Sequence, residues 1–486
     1  MIFWIDIAVF IFLVLCLLLV AIFEFINWFH DTANAVAPVI YTKSLKPKKA
    51  VLIAWIMNFF WVVFWWIWVA MAIIYLLPLD VISYQSTSFW VIVVISLLLS
   101  AIIWNFATWY FWIPASSSHS LIWAILWVTI IMMFIPNNWN LEVIPNWWKA
   151  IEVIESLLFS PFLWFILASL IMILSFKFIK NRYYFKTPWK SNHSHPKKWL
   201  RIMLIFTSAW VSFAHWSNDW QKWVWLAMLI LVLLAPSVFA INPEIKLSNL
   251  EQNISNVENK LQLVNLDLLS NDEKENINDI KNNLKEIKKN IDLGDSYNKI
   301  ELRKEILSFK KNIWEFEKNF SINNSDAYLV SVVNSNESIN NNLLNNWAID
   351  LDNDLWEILK VINYAPMWVI LFISISLWLW TMIWRKRIVV TIWEKIGNTQ
   401  MNYTQATTSA FITAMTITLA SQFHLPVSTT HILSSSVAWT MSVWPNKSWV
   451  RGSTIKNILT AWILTLPVTM FLSWFIFFIL WLIFVN

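Results

Sequence analysis

Ile113-Pro-Ala-Ser-Ser-Ser-His119 and Leu425-Pro-Val-Ser-Thr-Thr-His431 are one phrase written twice. Each reads apolar, Pro, apolar, three hydroxyl residues, His, and each opens a new apolar run. Pro pre-sets a helical φ at a position that needs no N–H donor. The residues after it present backbone N–H groups along the helix axis, at the positive end of the dipole, and Ser and Thr add hydroxyl donors. One such turn alone is ordinarily read as hydroxyls bonding back to their own helix. Two of them facing each other at the bilayer midplane form an anion cage without a full positive charge.

A second phrase is also duplicated. Asp31 sits in Phe25-Ile-Asn-Trp-Phe-His-Asp-Thr-Ala-Asn-Ala-Val-Ala-Pro38, and Asp219 in Phe213-Ala-His-Trp-Ser-Asn-Asp-Trp-Gln-Lys222. Each follows an apolar run and interrupts its pattern. Asp31 and Ser116 are 85 residues apart, Asp219 and Ser428 are 209 apart, and a 118-residue polar insert accounts for all but 91 of the latter. An Asp motif followed by a Pro-hydroxyl-His motif, twice over, is the internal repeat of a secondary transporter.

Apolar runs at about 3–27, 50–77, 89–112, 118–136, 157–180, 201–215, 220–241, 361–383, 403–423, 428–443 and 455–485 mostly reach the roughly 20 residues that cross a bilayer. Of the 486 residues 58% are hydrophobic and only 13% charged, against about 25% charged in a soluble domain. A water-soluble fold is excluded. The single Cys16 lies in the first run, so no disulfide framework exists, and with Lys43 the first basic residue no cleaved signal peptide is expected. The fold class is all-α: a polytopic transmembrane bundle of two inverted-topology repeats with re-entrant or broken helices, plus a helical extramembrane insert. Its parts are a first repeat at 1–180, the start of the second at 181–242, the insert at 243–360, and the remainder of the second at 361–486.

The insert holds 21 acidic and 14 basic residues, a net of −7, and leaves +12 on the membrane part. Leu247, Leu250, Ile254, Val257, Leu261, Val264 and Leu268 step by three and four, as do Ile277, Ile280, Leu284, Ile287 and Ile291. That spacing predicts a helical hairpin or small bundle, with Gly294 ending its second helix. Basic clusters at Lys43–Lys49, Lys177–Arg201, Arg385–Lys395 and Lys447–Lys456 mark cytoplasmic loops. The N-terminus and the insert then face outward, and the two copies of the repeat run in opposite directions.

Acids within spans are functional candidates by default, and here Glu24, Asp31 and Asp219 stand out. Asp31 and Asp219 would repel a bare anion unless a proton or metal cation neutralises them, which is a physical basis for cation-coupled symport. Glu24 joins them as a coupling candidate. Asn34, Ser116, Ser117, Asn218, Gln221, Ser428, Thr429 and Thr430 are the anion-binding candidates. No metal ligand set is assigned. His119 and His431 read as structural hydrogen-bond partners more than as proton relays. His30 and His215 stand at unmatched positions and are left out. Lys222 has three readings, and the residues alone do not choose among them: snorkelling, pairing with Asp219, or meeting the anion. A channel would need a continuous pore, and an enzyme a nucleophile with its base; symmetrical duplication argues against both, so no enzymatic activity and no cofactor are expected. Sulfate or another oxyanion is the alternative substrate.

These motifs resemble the inorganic phosphate transporter (PiT) family. Asn27–Pro38 and Ala214–Lys222 resemble its two signature motifs, and Leu425–His431 its Leu-Pro-Val-Ser-Thr-Thr-His segment. Thr391–Gly397 and Asn457–Pro467 extend the likeness to nearly all of the membrane part, and the insert is similar to that of the bacterial low-affinity branch. The resemblance implies phosphate import at the plasma membrane driven by a cation gradient, with protons as the coupling ion and a neutral metal–phosphate complex as cargo. It places Asp31, Asn34, Ser116, Asp219, Ser428 and Thr429 at the site. Sodium-coupled relatives carry a membrane glutamate in each repeat; here Asn58 and Ala410 stand there, which favours protons over the sodium-coupled alternative. The partners implied are inorganic phosphate, a proton or metal cation and the bilayer. No nucleic acid is implied, and a homodimer is left open.

Against this pattern stands one count: 38 Trp and 3 Gly. Gly ordinarily makes up about 7% of a chain, and membrane helices use it for close approach. Trp28, Trp216, Trp220 and Trp223 stand where the family has Gly. Trp61 and Trp65, Trp123 and Trp127, Trp216 and Trp220, and Trp380 and Trp384 are four apart, so that Gly in their place gives Gly-x-x-x-Gly packing motifs. Aromatic belts belong at the membrane interfaces, yet Trp55, Trp61, Trp65, Trp66 and Trp68 fill the middle of a span. The pattern is that of a gene whose UGA codons mean Gly, written with UGA as Trp; Trp368 and Trp462 are expected to be genuine. Peptide mass spectrometry of the native protein checks this, with glycine masses expected at 28, 216 and 220. Tryptophan masses there would sink the reading.

Overall fold

The computed structural model describes residues 6–64, 86–111, 113, 115–134, 147–188, 196–262, 270–293, 298–322, 353–381, 396–398, 401–422, 427–442 and 450–484. Among them the secondary structure is helical, apart from one isolated bridge between Gly397 and Val450. The helices are α1 (Ile7–Tyr41), α2 (Pro47–Phe64), α3 (Thr87–Tyr110), α4 (Ser117–Phe134), α5 (Trp147–Phe178), α6 (Lys198–Leu234), α7 (Leu247–Gln262), α8 (Asn271–Asp292), α9 (Lys299–Ile322), α10 (Met367–Thr381), α11 (Tyr403–Gln422), α12 (Thr429–Ser442) and α13 (Gly452–Phe484). Two compact units result: the described part of 231–365, and the helices on either side of it.

In the membrane unit α3, α4, α11, α12 and α13 lie within three residues of the expected runs at each end, while α1 continues fourteen residues past its run and α5 starts ten before its own. Among the described residues four helical stretches, Ile7–Asn27, Thr87–Tyr110, Ser117–Phe134 and Gly452–Phe484, are long and apolar enough to cross a bilayer. Local chemistry sets their starts. Asp6 caps α1 by accepting from Ala8 N at 2.7 Å, and Ser86 caps α3 from Phe89 N at 3.2 Å. Asn402 and Gln405 form a reciprocal pair at the start of α11, both bonds 2.9 Å. Helix α1 ends in a Schellman turn: Ser44 N reaches Val39 O, Lys43 N reaches Ile40 O, and Lys43 takes φ 57°.

The Asp motifs do not break their helices. Helix α1 runs 35 residues and α6 runs 37, about 52 and 55 Å. The stretch of α6 expected as two runs, 201–215 and 220–241, is one helix. As written, 213–222 contains neither Pro nor Gly, so nothing forces the backbone out of its ladder. Its polar residues instead form a stripe: Ser208, Ser212, His215, Asp219 and Lys222 step by four, three, four and three, down one face of an apolar helix.

In the same unit α3 packs on α1, α4 and α13, and α12 packs on α5, α11 and α1. A buried cluster joins Val36, Ala37 and Val39 of α1 to Leu200 and Leu204 of α6 and to Leu433 and Val437 of α12. Polar pairs lie between helices too: Ser409 meets Thr440 at 3.2 Å and Asn105 donates to Ser120 at 2.8 Å. In a bilayer such pairs substitute for the hydrophobic drive that lipid does not supply.

Large side chains crowd this unit. Trp216, Trp220, Trp223 and Trp225 of α6 are each at most 4% exposed. The indole N–H groups of Trp90, Trp127, Trp223 and Trp225 are buried without an acceptor, at about 1–3 kcal/mol each; glycine at those positions removes the cost. Trp220 differs, since its Nε1 donates to Ser374 at 3.0 Å.

Among its described residues the insert is a bundle of three helices and a turn of helix over 353–359, one helix more than a hairpin. Every expected core position that is described, from Leu250 through Ile291, is buried, and Leu247 packs against the cluster. Helix α9 adds Leu302, Ile306, Phe309 and Ile313. Ser270 and Glu273 form a capping box at the start of α8; Gly294 lies outside the described residues. The root is tied by Arg303, whose Nη1 donates to Ala240 O at 2.8 Å and Ile362 O at 3.1 Å, while Asn242 N donates to Val361 O at 2.8 Å. Arg303→Ala is expected to weaken the root by about 2 kcal/mol, the worth of hydrogen bonds to a charged donor. Amide exchange at Asn242 should then quicken about 30-fold in hydrogen-exchange mass spectrometry; unchanged exchange would show that Arg303 does not hold it.

Candidate functional site

The two hydroxyl turns have the same construction in space. Ser116 and Ser428 are the N-caps of α4 and α12: each hydroxyl accepts from the backbone N–H of the His three residues on, both at 3.2 Å. Each also offers its carbonyl to the first intrahelical bond, to Ser120 N at 3.2 Å and Ile432 N at 3.0 Å. The ordinary local reading of a Ser hydroxyl therefore holds for these two, which leaves the O–H as donor. Ser117 and Ser118, like Thr429 and Thr430, take the next two positions, whose N–H groups point out along the axis. All but Ser118 of these residues are buried. Pro114, Leu425 and Pro426 lie outside the described residues.

The two turns meet. The rings of His119 and His431 lie 4.4 Å apart, and Trp462 stacks on His431 at 3.8 Å. His119 Nδ1 is 2.8 Å from Ser116 Oγ, so the first His braces its own cap. Two positive helix ends thus converge where an anion would be favoured.

The stripe of α6 reaches the same place. Lys222 is 1% exposed, and its Nζ donates to Asp219 Oδ1 at 2.9 Å, to Ser118 Oγ at 2.9 Å and to the backbone carbonyl of Val427 at 3.0 Å. The first partner is on its own helix, the second on the first turn of α4, and the third just before the cap of α12. His215 Nε2 stands 3.4 Å from Asp219 Oδ2. Asn218 and Gln221 are buried on the same helix. At the first residue of α4, Ser117 Oγ donates to Asn27 Oδ1 of α1.

So Ser116, Ser117, Ser428, Thr429, Thr430 and Asp219 belong to elements that meet. Glu24 is fully buried on α1, where its neighbour Phe23 packs edge-on against Trp223 at 4.6 Å. The α1 backbone is helical through Asp31 and Asn34, whose side chains lie outside the described residues. Asn58 is buried in α2, and Ala410 packs with Ala35, Val211 and Ala414. Neither place holds a carboxylate. Among the described residues no group of three metal-binding side chains occurs.

Three residues were missed from sequence: Lys222, left undecided; His215, set aside for lacking a counterpart; and Asn27. The signal for the first two was the stripe, since 215, 219 and 222 share one helix face. Asn27 had a weaker one: it stands four residues before Asp31 and so on its face.

Comparison with known proteins adds a separate line. The phosphate transporter family matches residues 27–473. A low-affinity inorganic phosphate transporter of Buchnera aphidicola subsp. Acyrthosiphon pisum (strain APS) is 39% identical over 480 residues, covering 96% of each chain. One from Escherichia coli (strain K12) is 32% identical over 496 residues, again covering 96% of each. A solved structure described as the sodium-dependent phosphate transporter is 16% identical, with a TM-score of 0.45, and spans 97% of this chain and 100% of its own. With the match running over nearly its whole length, the chain belongs to the phosphate transporter family.

Proposed function

We propose that the protein is a secondary active carrier that imports inorganic phosphate across the plasma membrane by proton symport, taking it up as a neutral metal–phosphate complex. The observation that carries this reading is the meeting of the two capped hydroxyl turns at His119 and His431, with Lys222 joining both to Asp219. A tetrahedral oxyanion suits converging N–H and O–H donors. The donors assigned to it come from Ser116, Ser117, Ser428, Thr429 and Thr430, with amide contacts from Asn34, Asn218 and Gln221. Asp31 and Asp219 carry the coupling cation, with Glu24 in support. The names of the relatives point to phosphate. The absence of a carboxylate at Asn58 and Ala410 supports protons over sodium.

Two inverted repeats give alternating access in this reading, each contributing one Asp motif and one hydroxyl turn. The basic loops face the cytoplasm, and the N-terminus and residues 243–360 face outward.

Uptake of labelled phosphate into proteoliposomes tests this, using the chain with Gly at 28, 216 and 220. An inward proton gradient is expected to drive accumulation and a sodium gradient alone to leave it at background. Sulfate competing as well as phosphate would overturn the substrate, and indifference to the proton gradient would overturn the coupling. Asp31→Asn and Asp219→Asn should each bring uptake to the level of empty vesicles, with the protein still inserted and monodisperse. Normal uptake in both would remove them from the mechanism.

A further inference from the structure

We propose that Lys222 is an exchangeable countercharge. In the empty protein it neutralises Asp219 and holds the first turn of α4 to the segment before α12; an arriving oxyanion draws it away and leaves Asp219 to a cation. The proposal rests on the symport reading above and names the residue that makes the two ligands bind together.

An ammonium has three N–H donors. Those of Lys222 are matched one to one by Asp219 Oδ1, Ser118 Oγ and Val427 O, at 2.9, 2.9 and 3.0 Å. None is left over, so an anion can engage Lys222 only by displacing one of these partners. Two of the three are neutral acceptors at the mouths of the helices where the anion is expected: Ser118 is the second residue of α4, and Val427 precedes the cap of α12. A charged oxygen is the stronger acceptor for an ammonium, so an anion between those turns displaces the two neutral acceptors first, and the ammonium follows it off Asp219.

The exchange has a consequence for Asp219. Without Lys222 it keeps His215 at 3.4 Å, and His119 on α4 and His431 on α12 stand at the two turns with their rings 4.4 Å apart. A buried carboxylate that loses its ion-pair partner is strongly disfavoured, and a proton or cation restores the balance. Two states are therefore compact in charge: empty with Lys222 on Asp219, and doubly loaded. A carrier that reorients only in those two states couples its ligands.

The test uses the full chain in proteoliposomes with an entrapped pH indicator and no phosphate. Lys222→Gln keeps a hydrogen-bonding amide and removes the charge, so Asp219 must take a proton even without an anion. The expected result is phosphate-independent proton entry, absent from the unsubstituted protein and absent again from the Lys222→Gln/Asp219→Asn double variant. A proton-tight Lys222→Gln protein that is correctly inserted, or a leak that persists in the double variant, overturns the proposal. Ser118→Ala gives a second reading. It removes one bond that the empty state must break, so the half-saturation concentration for phosphate counterflow should fall about five-fold, the worth of one hydrogen bond. A hydroxyl that only braced the helix or touched the anion would raise that value or leave it alone. Either result overturns the proposal, and decides the matter should Lys222→Gln fail to insert. Failure of the unsubstituted protein to move phosphate would sink the substrate reading instead, while the leak comparison, made without phosphate, would stand.

Discussion

A lysine ammonium buried among apolar helices needs acceptors on every side and a negative charge beside it. The effective penalty for stripping water from such an ion is several kcal/mol, and it is offset only by well-placed partners. Lys222 finds them on three separate pieces of chain. That requirement organises the site. It holds α4 and the segment leading into α12 against the polar face of α6, it fixes which oxygen of Asp219 is occupied, and it brings two positive helix ends together beside a neutralised ion pair. The caps at Ser116 and Ser428 make those ends stable enough to converge, because each meets one backbone donor that would otherwise lack an acceptor.

The membrane helices were legible because the bilayer sets their length: the runs at 89–112 and 118–136 correspond to α3 and α4 within two residues at each end. Hydropathy failed at 213–222 for a physical reason. It averages around the helix and registers a polar cluster as a gap, whereas the residues keep helical periodicity and put the polar groups on one face. The duplicated hydroxyl phrases were legible as helix starts. What Ser116 and Ser428 do with their oxygens was not, since capping and ligand binding ask for the same residue type. The meeting of His119 and His431 was implicit in the equal register of the two phrases, but only the tertiary fold brings one turn to the other. Lys222 stayed undecided for the same reason: snorkelling, pairing and anion contact differ in burial, and burial is a property of the neighbours.

The insert shows the same division. Steps of three and four mark its core in the sequence, and α7 and α8 bury Leu250, Ile254, Val257 and Leu261 and the series from Ile277 to Ile291. The third helix carries a similar face at Leu302, Ile306, Phe309 and Ile313, within a stretch so rich in Lys and Glu that the apolar residues are diluted. Nothing in the spacing singles out Arg303 from the other basic residues. Its role depends on two carbonyls, at Ala240 and Ile362, that lie about sixty residues away on either side.

The tryptophans bear on how closely the seam of α6 can be approached. Positions 216, 220 and 223 form a stripe of their own, one residue on from 215, 219 and 222, and so about 100° around the helix. They flank the polar face. Whatever stands there sets the distance at which neighbouring helices pass, since interaxial spacing follows the side chains at the contact. Indoles hold neighbours off and bring N–H groups that need acceptors; the one on Trp223 has none. Glycines let backbones close in. A site that works by handing an ammonium from a carboxylate to an anion requires its helices to be near and free to shift by about a bond length. Small residues beside the seam permit that, and rings wedged against Phe23 and Ser374 oppose it.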